Sequence, residues 1–225
     1  MTMEKQPNQK ASLLAAMNRN ALTLATFAFV SVGLIAITHH LTKNKIAKEI
    51  ELSLLKQLAI VAEPTSYNND VYKDCLMVTD INQPEATTGQ KVYRLRQNNS
   101  NVGLMITATA PNGYSGRIDF ALAVSANGSI LGVNVLKHQE TPGLGDKIER
   151  NKSDWIKQFN NLPKGQFTNV DWQVKKDGGK FDALTGATVT PRAIVSAVKR
   201  SYDFVLKNQL ELFEKPSDCD ANLVE

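Results

Sequence analysis

RIDFALAVSANGSILGVNV, residues 117–135, decides the fold class. Ile118, Phe120, Leu122 and Val124 alternate with Arg117, Asp119, Ala121 and Ala123, the two-residue period of a strand with one buried face. Asn127-Gly128 follows, a pair that supplies the positive φ angles of a type I′ turn, and Leu131, Val133 and Val135 then resume the alternation. The stretch is therefore predicted to be a β-hairpin. Upstream, Tyr93 and Leu95 alternate with Arg94 and Arg96, and Leu104, Ile106 and Ala108 with Met105, Thr107 and Thr109, which adds further strands. Downstream, Thr190 is the expected N-cap, Pro191 suits the first helical position, and Ile194, Val198, Tyr202 and Val205 form the apolar face of a helix that should dock on the sheet. The expected class is α+β, with one mostly antiparallel sheet and packed helices.

A different solvent is implied at the start of the chain. From Asn20 to Thr42 there is no Lys, Arg, Asp or Glu, and an apolar run of that length spans a bilayer core. Thr38, His39, His40 and Leu41 end the run without the small-residue cleavage pattern of a signal peptide, so one uncleaved transmembrane helix is expected. Lys5, Lys10 and Arg19 precede it while Lys43, Lys45, Lys48 and Lys56 follow, which leaves orientation open on charge alone. Ile46, Ile50, Leu54 and Leu58 recur every four residues and predict a packing seam on a helix reaching Glu63 and Pro64. The expected organisation is a tail over 1–20, an anchor over 21–42, an amphipathic connecting helix over 43–63, one domain over 64–213 and a tail over 214–225.

Composition removes several function classes. The net charge of +4 is spread without a dense basic tract, so nucleic-acid binding is not expected. Two cysteines, Cys75 and Cys219, and three scattered histidines, His39, His40 and His138, provide too few ligands for an iron–sulfur cluster or a zinc site. No metal site is expected. An even cysteine pair in an exported domain is expected to form one disulfide, with two free thiols as the close alternative.

Two segments depart from strand and helix patterning. HQETPGLGDKI, from His138 to Ile148, contains Thr141-Pro142-Gly143 and Gly145, a tight loop whose backbone can approach a ligand closely. A plain turn would look the same. DALTGATVTPRA, from Asp182 to Ala193, brings Thr188 to a helix N-terminus, where exposed amides and the positive dipole end stabilise an anion such as phosphate. A helix-capping Thr/Gly turn has the same composition.

Together the two segments resemble the FMN-binding domain of the RnfG family, the G component of the RNF ion-translocating oxidoreductase complex, which is related to the C component of the sodium-pumping NADH:quinone reductase. That family's flavinylation motif, D-x-x-[S/T]-G-A-T, is matched throughout by Asp182-Ala183-Leu184-Thr185-Gly186-Ala187-Thr188, and its E-T-P-G-L-G loop stands unaltered from Glu140 to Gly145. The likeness runs from Ala21 to about Phe213, and the ETPGLGD form of the loop points to the RnfG family, with a flavoprotein like the C component of the quinone reductase as the alternative.

The resemblance implies one FMN attached to Thr188 by a phosphoester bond, installed by a separate flavin transferase that uses FAD. Thr185, Gly186 and Ala187 would present the hydroxyl and Asp182 would aid recognition, while Glu140, Thr141, Gly143, Leu144 and Gly145 would lie against the flavin. It further implies an electron-transfer component of a membrane-bound translocase with no side-chain catalysis of its own. Its setting would be the bacterial inner membrane, single-pass, with a cytoplasmic N-terminus, a periplasmic domain and the other components of the RNF complex as partners. Two rival readings remain. One is a hydrolase using Thr185 or Thr188, with His138 the sole histidine available as base. The other is a non-enzymatic anchor working through the stripe from Ile46 to Leu58.

Overall fold

The computed structural model describes residues 9–78 and 90–218. Of the tails expected at 1–20 and 214–225, residues 1–8 and 219–225 lie outside the described residues, as does Cys219. The chain divides between Ile50 and Glu51 into two compact units. The first is helical. Helix α1 runs Gln9–Leu58, and its stretch Met17–Ile46 is long and apolar enough to cross a membrane, with mean hydropathy 2.1 and its apolar side chains, Phe27, Phe29 and Ile35 among them, exposed. Thr23, Thr26, Thr38 and Thr42 return their hydroxyls to carbonyls one turn earlier, so these donors need no water.

The second unit is an antiparallel meander, β1 (Cys75–Val78), β2 (Gln90–Gln97), β3 (Ser100–Gly113), β4 (Gly116–Ser125) and β5 (Ile130–Lys137), in spatial order β1-β2-β3-β4-β5. Helix α2, Val189–Glu214, packs across β3 and β4. Its predicted face is the buried one: Ile194, Val198 and Val205 are fully enclosed and Tyr202 nearly so, while Arg192, Asp203 and Lys207 face outward. Each fully buried Val or Ile contributes about 1.5–3 kcal/mol by leaving water, which is what holds this helix on the sheet.

The sheet is covered on both faces, where one buried face was expected. Leu104, Ile106, Phe120, Leu122 and Val133 meet α2 and the segment from Ile148 to Phe181 on one side. Tyr93, Leu95, Met105, Ala121 and Ala123 meet Leu58, Val61, Ala62 and Val71 on the other. The small side chains of Ala121 and Ala123, which alternation marks as the outer face, admit that thin second layer. Of the predicted stripe, Leu58 is buried in it and Ile46 is exposed, while the side chains of Ile50 and Leu54 lie outside the described residues. Helix α1 stops at Leu58, short of the expected Glu63; Val61 N–H bonds to Leu58 O at 3.0 Å as the chain turns.

Two turns differ from expectation. The type I′ turn is Asn98-Asn99, with φ of 49° and 65°, between β2 and β3. At Asn127-Gly128 only the glycine is left-handed, φ 86°; Gly128 N–H bonds to Ser125 O, and the Asn127 side chain accepts from Ser129 N–H. This is the longer hairpin loop built on a type I turn and closed by a left-handed glycine. In β5 a bulge lies between Ile130 and Gly132, which pair with Val124 and Ala123. Ile130 and Val133 consequently share the α2 face, and Leu131 goes to the opposite layer.

Arg94 and Arg96, which alternate with Tyr93 and Leu95 on β2, close the far end of α2. Arg94 is 3% exposed; Nε donates to Leu212 O at 2.7 Å, Nη2 donates to Lys215 O, and Nη1 meets Asp74 Oδ1 at 2.9 Å. Arg96 donates to Asp74 Oδ2 at 2.7 Å and to Phe213 O at 3.3 Å. The last turn of α2 has no basic residue of its own, so two strand arginines satisfy its orphan carbonyls and its negative dipole end. Burial would raise the Asp74 carboxyl, but the hydrogen bonds and charges of Arg96 and Arg94 hold it below the usual carboxylate range. The chain beyond the helix then lies along β1, with Asp218 N–H on Cys75 O at 3.2 Å and Asp218 Oδ1 accepting from Met77 N–H at 2.6 Å. Cys75 is disulfide-bonded.

Candidate functional site

Both singled-out segments fold as tight turns with a left-handed glycine third, and they face each other. Thr141-Pro142-Gly143-Leu144 closes with Leu144 N–H on Thr141 O at 3.2 Å; Pro142 stands second and Gly143, φ 78°, third, as a type II turn requires. Leu184-Thr185-Gly186-Ala187 closes with Ala187 N–H on Leu184 O at 3.1 Å and Gly186 at φ 82°. A Cβ on Gly186 would come within 2.7 Å of Leu144 Cδ2, which lies over this glycine, and the left-handed φ is what calls for glycine there.

Between the turns is a cleft of about 270 Å³. Glu140, Thr141, Leu144 and Gly145 line it from the first segment, and Gly186, Ala187 and Thr188 from the second. Asp182, Thr185 and Gly143 do not. Asp182 is tied outside by an ion pair with Lys175, by its carbonyl to Trp155 Nε1 at 2.6 Å, and by its amide to Gln158 Oε1 at 2.7 Å. Thr185 is exposed in its turn, and Gly143 stands at the loop tip with open space where a Cβ would go. Gly145 has a structural reason to be glycine, since a Cβ would press on Glu140 Oε2 at 2.8 Å and Thr190 Oγ1 at 2.9 Å.

Thr188 is the N-cap residue of α2, two residues earlier than Thr190, the expected cap. Its hydroxyl makes no capping hydrogen bond. The first-turn amides have no intrahelical partner, and Pro191 has no amide, so Val189 and Thr190 N–H stand at the helix mouth beside that hydroxyl. The Thr190 side chain is engaged elsewhere. Its hydroxyl donates to the buried Glu140 Oε2, while Glu140 Oε1 accepts Ser115 N–H at 3.0 Å. One carboxylate thus joins the β3–β4 hairpin tip, the first loop and the start of α2.

The loop is braced from behind. His138 Nδ1 accepts Glu140 N–H at 3.0 Å and Nε2 meets Glu149 Oε1 at 2.9 Å, which puts the ring proton on Nε2. With both ring nitrogens engaged, His138 offers no free base to Thr185 or Thr188, and the hydrolase reading loses its histidine candidate. Lys152 bridges Glu149 and Asp146 at 2.6 and 3.0 Å. The Gly143 backbone amide and then Lys152 hold the Asp146 carboxyl below its usual range, and the hydrogen bond from Lys152 does most to lower Glu149. Arg192 is paired bidentately with Asp177, at 2.6 and 2.7 Å, which lowers the Asp177 carboxyl.

Three lining residues escaped the sequence reading: Tyr114, Val189 and Thr190 as a cleft residue. Thr190 adjoins the motif and could have been included. Tyr114 lies 74 residues before Thr188, and only the register of β3 on β4 brings it there.

A domain family described as an FMN-binding domain matches residues 113–203, the stretch that holds both turns, the cleft and the start of α2. The RnfG N-terminal region matches residues 3–61. The G component of the ion-translocating oxidoreductase complex of Pseudoalteromonas atlantica is 42% identical over 91% of this chain and 95% of its own length. That of Vibrio cholerae is 40% identical over 93% of this chain and 100% of its own length. The chain belongs to this RnfG family of ion-translocating oxidoreductase components. A solved structure, NqrC of Shewanella oneidensis, aligns with a TM-score of 0.43 at 22% identity over 66% of this chain and 73% of that one.

Proposed function

We propose that this chain is the electron-transferring RnfG component of a membrane-bound ion-translocating oxidoreductase complex and carries one FMN on Thr188 through a phosphoester bond. The observation that carries the reading is the Thr188 hydroxyl, free of any capping bond, at the N-terminus of α2 and on the wall of the cleft. A phosphoryl group esterified there lies where helix amides and the dipole favour negative charge. Sites that bury most of a drug-sized ligand measure about 300–1,000 Å³. At about 270 Å³ this cleft suits the phosphate end and leaves a flavin ring near the surface, open to a partner protein of the complex.

The attached isoalloxazine supplies the redox chemistry. The protein's residues attach, orient and shelter it: Thr188 provides the ester oxygen, the turn over Thr185–Ala187 presents it to a flavin transferase, and the loop over Glu140–Gly145 forms the facing wall. A tether replaces a weak binding equilibrium with a permanent high local concentration, useful where free FMN is scarce. The transferase moves the FMN moiety of FAD to the threonine oxygen and releases AMP. Protein co-produced with its transferase should give a peptide spanning Asp182–Arg192 heavier by FMN less water, fragmenting to Thr188. An unmodified peptide in a protein that carries flavin would end the assignment.

The organisation proposed with it is a cytoplasmic tail over 1–20, an anchor over 21–42, a connecting helix over 43–63, a periplasmic domain over 64–213 and a tail over 214–225. Fusions after Glu225 test the side of the membrane. Alkaline phosphatase should be active and green fluorescent protein dark; a fluorescent, phosphatase-inactive pair would reverse the topology.

A further inference from the structure

We propose that Tyr114, at the tip of the β3–β4 hairpin, is the aromatic face against which the flavin ring lies. The inference rests on Thr188 as the attachment point and assigns the ring contact that this reading leaves open. Tyr114 lines the cleft, yet its side chain is 72% exposed. Between residues 51 and 218 seven large apolar side chains are described as exposed; Tyr114, Leu144 and Val189 line this one cleft, against Leu52, Ile60, Val170 and Leu210 elsewhere. An apolar rim concentrated around one concave site is the signature of a surface that something flat and apolar covers.

The tip is also held in place. Gly113 pairs with Gly116 across the two-residue loop, and a Cβ on Gly113 would meet Gly116 O at 2.2 Å and Glu140 Oε1 at 2.8 Å. Ser115 N–H donates to that same Glu140 oxygen at 3.0 Å, and the other oxygen takes the hydroxyl of Thr190, two residues from the acceptor. The carboxylate therefore fixes the hairpin tip relative to the helix start. A free hairpin tip is ordinarily built of small polar residues. Here the backbone is anchored to the acceptor helix while a phenol is left in water, an arrangement the fold does not require and a tethered aromatic ring would use. Face-on or edge-on packing of two rings is favourable through their quadrupoles.

A tyrosine in contact with an excited flavin quenches its emission: the phenol lends one electron to the excited ring and receives it back, so nothing is consumed. The full chain, co-produced with flavin transferase and held in detergent, is compared with Tyr114→Ala and Tyr114→Phe. Wild-type emission should be strongly quenched in the native protein and recover on denaturation. Tyr114→Ala should raise native emission several-fold at unchanged covalent loading, read as the ultraviolet-fluorescent band on a denaturing gel. Tyr114→Phe should also raise emission, having no readily oxidised phenol, while keeping the wild-type visible circular dichroism of a packed ring. Equal native emission from wild type and Tyr114→Ala at full loading would overturn the contact, and so would a loss of loading in Tyr114→Ala, which would place the residue in transferase recognition. A wild-type protein without the gel band would bring down the Thr188 reading and this inference with it.

Discussion

Thr188→Val is expected to abolish the ultraviolet-fluorescent band on a denaturing gel and to leave the unfolding transition where it is. Valine nearly matches threonine in shape and removes the one oxygen that can form the ester. Replacing a working N-cap costs about 0.5–2 kcal/mol. Thr188 makes no capping bond, so little of that cost applies. Thr190→Val is the contrasting variant: it strips the donor from a buried Glu140 oxygen, and an unsatisfied buried acceptor costs about 1–3 kcal/mol. The pair separates cofactor loss at 188 from stability loss at 190. Thr185→Val should lower loading without eliminating it, because the exposed turn residue affects only presentation of the acceptor oxygen. Thr188→Ser should load in part, since the oxygen remains while the methyl that restricts χ1 is gone. A fluorescent band from Thr188→Val would place the flavin elsewhere.

The site was legible to the extent that it is local. Each motif is a turn written in four consecutive residues, with Pro142-Gly143 in the first and Gly186 in the second, so Thr141–Leu144 and Leu184–Ala187 declare their shape without reference to the rest of the chain. That they face each other is a matter of tertiary contact, through Leu144 over Gly186 and Glu140 to Thr190. Tyr114 was invisible for the same reason: nothing within several residues of it marks a ligand, and the hairpin that delivers it is ordinary. Gly145, grouped with the flavin loop by the motif, accommodates the Glu140–Thr190 pair in the fold.

For the fold, alternation located β2 to β5 and the face of α2, but two-residue periodicity is blind to an inserted residue. The bulge at Leu131 therefore sent one side chain to the layer opposite the one its spacing indicated. The dipeptide Asn127-Gly128 carried the stronger turn signal, yet Asn98-Asn99 adopts the type I′ geometry, pinned by Asn68, whose side chain bonds both the amide and the side chain of Asn98 at 3.0 and 2.8 Å. β1 escaped because Cys75–Val78 is four residues long, too short for any period to show.

Arg94 and Arg96 are where pattern reading fails most instructively, and Arg94→Ala is expected to carry the largest stability loss among these variants. An arginine alternating with core residues on a strand normally reaches solvent, but here the end of α2 gives the guanidinium two carbonyls and Asp74 gives it a carboxylate. Removing one partner of a buried ion pair costs about 3–5 kcal/mol. Asp74 keeps Arg96 and is 20% exposed, which puts the expectation at the lower end, about 3 kcal/mol. Arg94→Lys should recover little, because one ammonium cannot reproduce the planar fork.

The pH dependence has a definite sign. The folded Asp74 pKa lies below its ordinary value of 3.8, so the carboxylate's contribution is complete above that value and fades as pH falls through the lower folded one. The gap between wild type and Arg94→Ala should be constant near neutrality and narrow under acid. Urea titration followed by Trp155 and Trp172, both in the main core, measures it. Helix α2, at 26 residues, is about 39 Å long, and the clamp and the acceptor sit at its opposite ends. Arg94→Ala should therefore still take up covalent flavin wherever it is folded. A variant as stable as wild type would show the arginine clamp to be dispensable, and a stable variant that loses flavin would show that the two ends of α2 are coupled.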